Sequence, residues 1–177
     1  MHQHWLVTLQ GLPDSGRAWN EDVARRLLED TEHGTVDALS GLCGDMHWDL
    51  SLEHQDDLFH LHGQWHGAIK RSCSRCNVEF DFQFDGRTER DFQIGSPPDE
   101  IENENECEYL VAPGRIDLLD VMREEVWLAW KADVICSDAC KGLCPECGCD
   151  LNTETCQCGK DNSDHPFAAL GKLKLDA

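Results

Sequence analysis

The 177-residue chain reads as an α+β protein. Its expected parts are a small antiparallel β-sheet or barrel with one long packing helix, an N-terminal helix, and a Cys-rich zinc-binding tail with a short C-terminal helix. Three observations predict this. Between Met46 and Ile94 apolar residues recur with a period of two, the mark of half-buried strands. Residues 116–130 carry a broad apolar stripe at helical spacing. After Val134 the chain turns to Cys, Gly and Asp, with almost no large apolar residue before Phe167. Such a segment buries too little surface to offset its ordering entropy and needs a cross-link. The composition shift predicts a β-rich domain with its packing helix over 1–134 and a Cys-rich tail over 135–177.

In chain order, Trp5 to Leu9 predicts a short strand, and Pro13 to Gly16 a turn. Asn20 is the expected N-cap of a helix over Glu21 to Glu29, with Val23, Ala24, Leu27 and Leu28 as its stripe and Gly34 as its stop. Met46, Trp48, Leu50 and Leu52 alternate with polar residues. Leu58–Trp65 and His66–Arg71 predict two further strands, broken near Gly63 or Gly67, and Val78, Phe80, Phe82 and Phe84 another. Closure of this meander into a barrel would protect its edges. Residues 95–108 hold six acids and no base, which predicts a solvated loop; an acidic arm for a basic partner is the sharper reading. Asp117 can cap the helix over Ile116 to Trp130, where Trp127 and Trp130 are expected in ordinary core packing.

The formal charge is −20, from 35 acids against 15 bases. A chain so acidic repels phosphate at long range, so nucleic acid could be held only by a local basic patch, and a basic protein is the easier partner. No apolar run approaches the length of a membrane span, and no basic region precedes an apolar stretch at the N-terminus. A soluble, cytoplasmic protein without membrane association is expected.

Eleven cysteines in such a chain point to metal ligation or thiol chemistry rather than a disulfide framework. Cys73-Ser74-Arg75-Cys76 falls where a hairpin turn is expected, and a second cluster runs through Cys136, Cys140, Cys144, Cys147, Cys149, Cys156 and Cys158. Cys144-Pro145-Glu146-Cys147-Gly148 has the form of a zinc knuckle, whose tight turn aims two thiolates at one ion and whose glycine permits the backbone conformation required. Tetrahedral zinc needs two more ligands, and Cys156/Cys158, Cys136/Cys140 or Cys73/Cys76 could supply them. The preferred grouping is Cys144, Cys147, Cys156 and Cys158 on one ion and Cys73, Cys76, Cys136 and Cys140 on a second, with Cys43, Cys107 and Cys149 unligated. One or two Zn2+ are thus expected. An iron–sulfur cluster also uses four cysteines, whereas a redox dithiol would need a βαβ context that is not seen. A zinc with four cysteine ligands has no open position for substrate. No phosphate-cradling loop, nucleophile elbow or H-E-x-x-H accompanies these residues, so neither an enzyme nor a small-molecule substrate is expected.

Lys70, Arg71 and Arg75 form the densest basic cluster and are the candidate nucleic-acid contacts, though a solvated hairpin tip explains them as simply. His60, His62 and His66 lack a convincing ligand partner and read as an exposed strand face.

Four motifs in order resemble the YceD family, the large ribosomal RNA subunit accumulation proteins. Cys73-Ser74-Arg75-Cys76 before the Phe80/Phe82/Phe84 strand is similar to that family's C-x-R-C hairpin. Arg115 to Leu119 followed by Glu124-Glu125-Val126 is similar to its I-D-L helix. The cysteine pattern from Cys136 to Cys158 is similar to the tail of many bacterial members, and Asp164 to Lys174 to the closing P-F-x-x-L-x-x-L-K. The resemblance spans roughly Cys73 to Lys174, with Cys149 as an extra thiol. It implies a non-enzymatic role in ribosome biogenesis, supporting 23S rRNA accumulation and large-subunit assembly. A gene neighbourhood shared with a small basic large-subunit ribosomal protein suggests that protein as partner, with the 23S rRNA precursor as the other candidate. A direct rRNA-binding zinc protein is the alternative. Some members of the family lack the second cysteine cluster, which suggests that the tail stabilises a common platform.

Overall fold

Alternation of apolar and polar residues from Met46 onward resolves into long strands that define the molecule. The computed structural model describes residues 4–29, 39, 41–96 and 107–158. In order these form β1 (Leu6–Thr8), β2 (Arg17–Val23), α1 (Arg25–Leu28), β3 (Met46–Gln55), β4 (Leu58–Ser72), β5 (Glu79–Ile94), β6 (Cys107–Leu110), β7 (Arg115–Asp117) and α2 (Leu118–Leu128). The sheet order is β2-β3-β4-β5-β6, and β1 pairs separately with β7. All neighbours are antiparallel except β5 and β6, which run parallel. Among the described residues the sheet stays open. Its edges are β2 and the four-residue β6 rather than a closed barrel, a short edge strand being one way a sheet limits unwanted pairing.

Several expectations change. Residues 17–23 are a strand, not the start of a helix: seven register pairs with β3 bury Trp19 and Val23, and α1 keeps only Arg25–Leu28. Pairing along a hydrophobic partner strand outweighs the weak local helical stripe. The expected stop at Gly34 and the short C-terminal helix lie outside the described residues, as do residues 97–106 of the acidic run. Cys107 and Glu108, at the end of that run, belong to β6.

Gly63 and Gly67 do not break the strand, because β4 runs unbroken from Leu58 to Ser72. These glycines make room for neighbours instead. A Cβ at Gly67 would meet Met46 Cγ at 2.9 Å, and one at Gly86 would clash with the Trp65 ring. Gly86→Ala should therefore cost about 1–3 kcal/mol by overpacking. The expected reading is a lower urea midpoint at unchanged slope, and an unshifted midpoint would contradict it.

The inner face of the sheet carries Trp19, Trp48, Trp65 and Phe92, with Trp48 and Trp65 stacked at 5.3 Å. Helix α2 and the β1–β7 ribbon cover it, burying Trp5, Val7, Leu9, Ile116, Leu118, Leu119, Met122 and Val126 in one cluster, a two-layer α+β arrangement. Asp117 caps α2, its carboxylate accepting from Leu119 N at 3.0 Å. Trp127 is 54% exposed and Trp130 38%, so core packing does not describe them. The helix ends there, and the Arg71 guanidinium lies 3.8 Å over the Trp130 ring.

The outer face is mostly polar and acidic. β5 contributes Glu79, Asp81, Asp85, Glu89 and Asp91, β3 contributes Asp49 and Glu53, and β2 Asp22. Against these eight carboxylates stand Lys70 and Arg87, leaving −6 with imidazoles neutral. His47, His60, His62 and His66 share this face. His60 pairs with Asp91 at 2.6 Å, His47 with Asp22 at 2.8 Å and His62 with Glu53 at 3.3 Å.

Candidate metal centres

The β4–β5 register closes at Ser72 and Glu79, which leaves residues 73–78 as the hairpin tip. There Cys73 N donates to Val78 O (2.9 Å) and Asn77 N to Cys73 O (2.8 Å), with Asn77 at φ 58°. The later knuckle repeats the pattern: Gly148 N donates to Cys144 O (2.9 Å) with Gly148 at φ 74°. Both Cys-x-x-Cys turns thus need a left-handed residue directly after the second cysteine. Asn tolerates that conformation better than other non-glycine residues, so Asn77 was a readable signal that the glycine-based argument passed over.

The tail is laid against the hairpin tip by backbone bonds. Ser74 N donates to Val134 O (2.8 Å) and Val134 N to Ser74 Oγ (3.1 Å), which brings Cys136 and Cys140 beside Cys73 and Cys76. Leu143 N then donates to Arg75 O (3.0 Å) at Gly142, whose φ of 77° and close approach to that carbonyl leave little room for a side chain.

The result is two sulfur quartets. Cys73, Cys76, Cys136 and Cys140 form one, Cys144, Cys147, Cys156 and Cys158 the other, and within each the four sulfurs lie within 4.8 Å of one another. Cys43, Cys107 and Cys149 lie outside both, and none of the eleven cysteines is in a disulfide. Four thiolates around one ion at a metal–sulfur distance near 2.3 Å sit about 3.8 Å apart by tetrahedral geometry. The observed separations are 3.8 Å for Cys73–Cys140, 3.7 Å for Cys76–Cys136, 3.7 Å for Cys147–Cys156 and 3.2 Å for Cys144–Cys156. Each quartet therefore fits a single metal ion. A polynuclear cluster, whose cysteines bind different irons, needs its sulfurs further apart.

The sulfurs are also electrostatically prepared. Burial raises the Cys73 thiol, but N–H donors from Cys136, Cys76 and Arg75 outweigh it and bring the thiol down to about 6. Backbone N–H groups of Cys147 and Glu146 bring Cys144 down to about 6 as well. Burial and the neighbouring sulfurs of Cys140 and Cys76 push Cys136 up to about 12, and the Cys156 sulfur likewise raises Cys158. Without a cation each quartet accommodates a thiolate beside protonated neighbours; a bound cation would stabilise all four thiolates. Cys73 is only 2% exposed and Cys76 7%, which denies a redox partner the access that a reactive dithiol needs.

The basic candidates are held by internal partners. Lys70 pairs with Asp81 at 2.8 Å. Arg71 donates to the carbonyls of Lys131 (2.8 Å) and Ala132 (3.1 Å), and Arg75 Nη1 to Cys140 O (3.1 Å). His60, His62 and His66 belong to neither quartet. Arg90, a cation whose side chain is only 13% exposed, was not singled out in the sequence.

Comparison with known proteins comes to the same region. A family model described as large ribosomal RNA subunit accumulation protein YceD matches residues 61–174. A protein of Arabidopsis thaliana, the "Large ribosomal RNA subunit accumulation protein YCED homolog 1, chloroplastic", is 39% identical over 59 residues. That match covers 33% of this chain and 18% of the relative. No solved structure matches. No helix among the described residues is long and apolar enough to cross a membrane.

Proposed function

The chain belongs to the YceD family of large ribosomal RNA subunit accumulation proteins, and from that premise we propose that it is a non-enzymatic factor supporting 23S rRNA accumulation and large-subunit assembly by handling a basic large-subunit ribosomal protein. The observation that carries the partner's chemistry is the outer face of the sheet, with eight carboxylates against two bases on a chain of charge −20. Complementary fields speed encounter with a cationic partner and exclude phosphate. In this reading both quartets hold Zn2+ through four thiolates each. Such closed sites are structural, with no position left for substrate. They fix the described part of the cysteine-rich tail, residues 135–158, to the β-rich unit. Direct contact with the 23S rRNA precursor through Lys70, Arg71 and Arg75 has less support, since each is engaged within the protein.

Capture from an extract of the source cells at low and high salt tests this. A basic large-subunit ribosomal protein should be retained at low salt and lost at high salt. It should also be lost when Asp85, Glu89 and Asp91 are changed to their amides. Recovery of no ribosomal protein at either salt would remove the partner reading.

A further inference from the structure

The two quartets are not separate along the chain or in space. Cys140 and Cys144, one from each, are joined by Lys141, Gly142 and Leu143. The ribbon that carries the second quartet turns back through Leu151 N to Gly142 O (3.0 Å) and places Asn152 beside the first. Asn152 Oδ1 accepts from Lys141 N at 2.8 Å, while Asn152 Nδ2 donates to Asp150 Oδ1 at 2.7 Å and to Cys140 Sγ at 3.6 Å. A residue of the tail ribbon thus donates to a sulfur of the hairpin quartet.

We propose that Asn152 couples the two metal sites: filling the tail quartet orders the ribbon, which aims the Asn152 amide at the Cys140 sulfur and raises the metal affinity of the hairpin quartet. This rests on the reading of both quartets as metal sites. An N–H donor stabilises thiolate charge, and partners one shell beyond the ligands typically change metal affinity about 10–100-fold. Coupling is reciprocal, so the hairpin site strengthens the tail site by the same factor. Asn152 is a positioning residue; it lies outside both ligand sets.

Cobalt(II) titration of the full-length reduced protein tests the proposal, because Co2+ in four thiolates shows charge-transfer bands. Cys73→Ser/Cys76→Ser and Cys147→Ser/Cys156→Ser supply the spectrum of each site alone. The tail-site serine pair should weaken the hairpin site about tenfold, and Asn152→Ala should do so to a similar extent. Combining them should bring no further loss, the signature of one shared interaction. Loss of the N–H···S bond should also move the hairpin site's charge-transfer band to lower energy, which a purely structural role for Asn152 would not do. The hairpin-site serine pair should weaken the tail site by the same factor, a measurement independent of how well Asn152→Ala folds. Independent filling of the two sites, additive losses, or an unshifted band would each overturn the coupling. Absence of any thiolate-to-cobalt band in the wild type would instead remove the metal reading itself, and the coupling with it.

Discussion

Chelation under reducing conditions is expected to unfold residues 135–158 and loosen the hairpin tip while leaving the sheet folded. The main buried cluster runs from Trp5 to Val126 and, among the described residues, takes in none of the tail. The cluster at the hairpin tip is small, consisting of Cys73, Cys76 and Cys140 with Phe80, Ile135 and Cys136 packed against them. In the zinc reading, sulfur ligation rather than apolar burial holds residues 135–158. Structural Zn2+ in small cysteine sites contributes about 10–16 kcal/mol of apparent binding free energy near neutral pH, far more than so small a cluster can replace. Limited proteolysis with and without chelator is the measurement. Cleavage should appear within 135–158 on chelation and spare β3 to β5. An unchanged cleavage pattern after complete metal removal would defeat the expectation. The same logic sets the pH sign. Every thiolate released must take up a proton, so affinity falls as pH falls, and acidification should mimic chelation.

The parts legible in the sequence were those governed by short-range rules. Alternation located β3 and β5 because the face of each strand is decided by its own residues. Asp117 was readable as a cap because capping is local chemistry. The cysteine spacing left three candidate pairs to complete the knuckle's ligand set, because the pairing of Cys73 and Cys76 with Cys136 and Cys140 depends on contacts some sixty residues apart in the chain. What stayed hidden depends on partners distant in the chain. β2 is a strand because β3 lies beside it. β6 adds in parallel across residues 97–106, and its local sequence carries no sign of that direction. Gly67 looked like a break and is a space for Met46. Asn152 carried no signal by itself, because its contact is with Cys140, twelve residues earlier.

Arg90 gives the second large expected effect, and it too was invisible in the sequence. It lies on the inner face of β5, where a lone cation has no obvious reason to be. Its side chain is 13% exposed and meets Glu125 at 2.8 Å, Glu124 at 2.7 Å and Glu108 at 3.2 Å. One guanidinium thereby joins β5 to α2 and to β6. The planar fork of Arg can serve several carboxylates at once, which a Lys could not reproduce. Arg90→Met should destabilise the protein by about 3–5 kcal/mol, because it leaves the Glu125 carboxylate, 12% exposed, without its cation. Adding Glu125→Leu to Arg90→Met should restore much of the loss at neutral pH, since apolar replacement of a whole buried ion pair is often neutral or better. Urea unfolding of the three proteins measures this. If Arg90→Met costs no more than a surface substitution, or if Glu125→Leu deepens the loss, the guanidinium is not the clasp between sheet and helix.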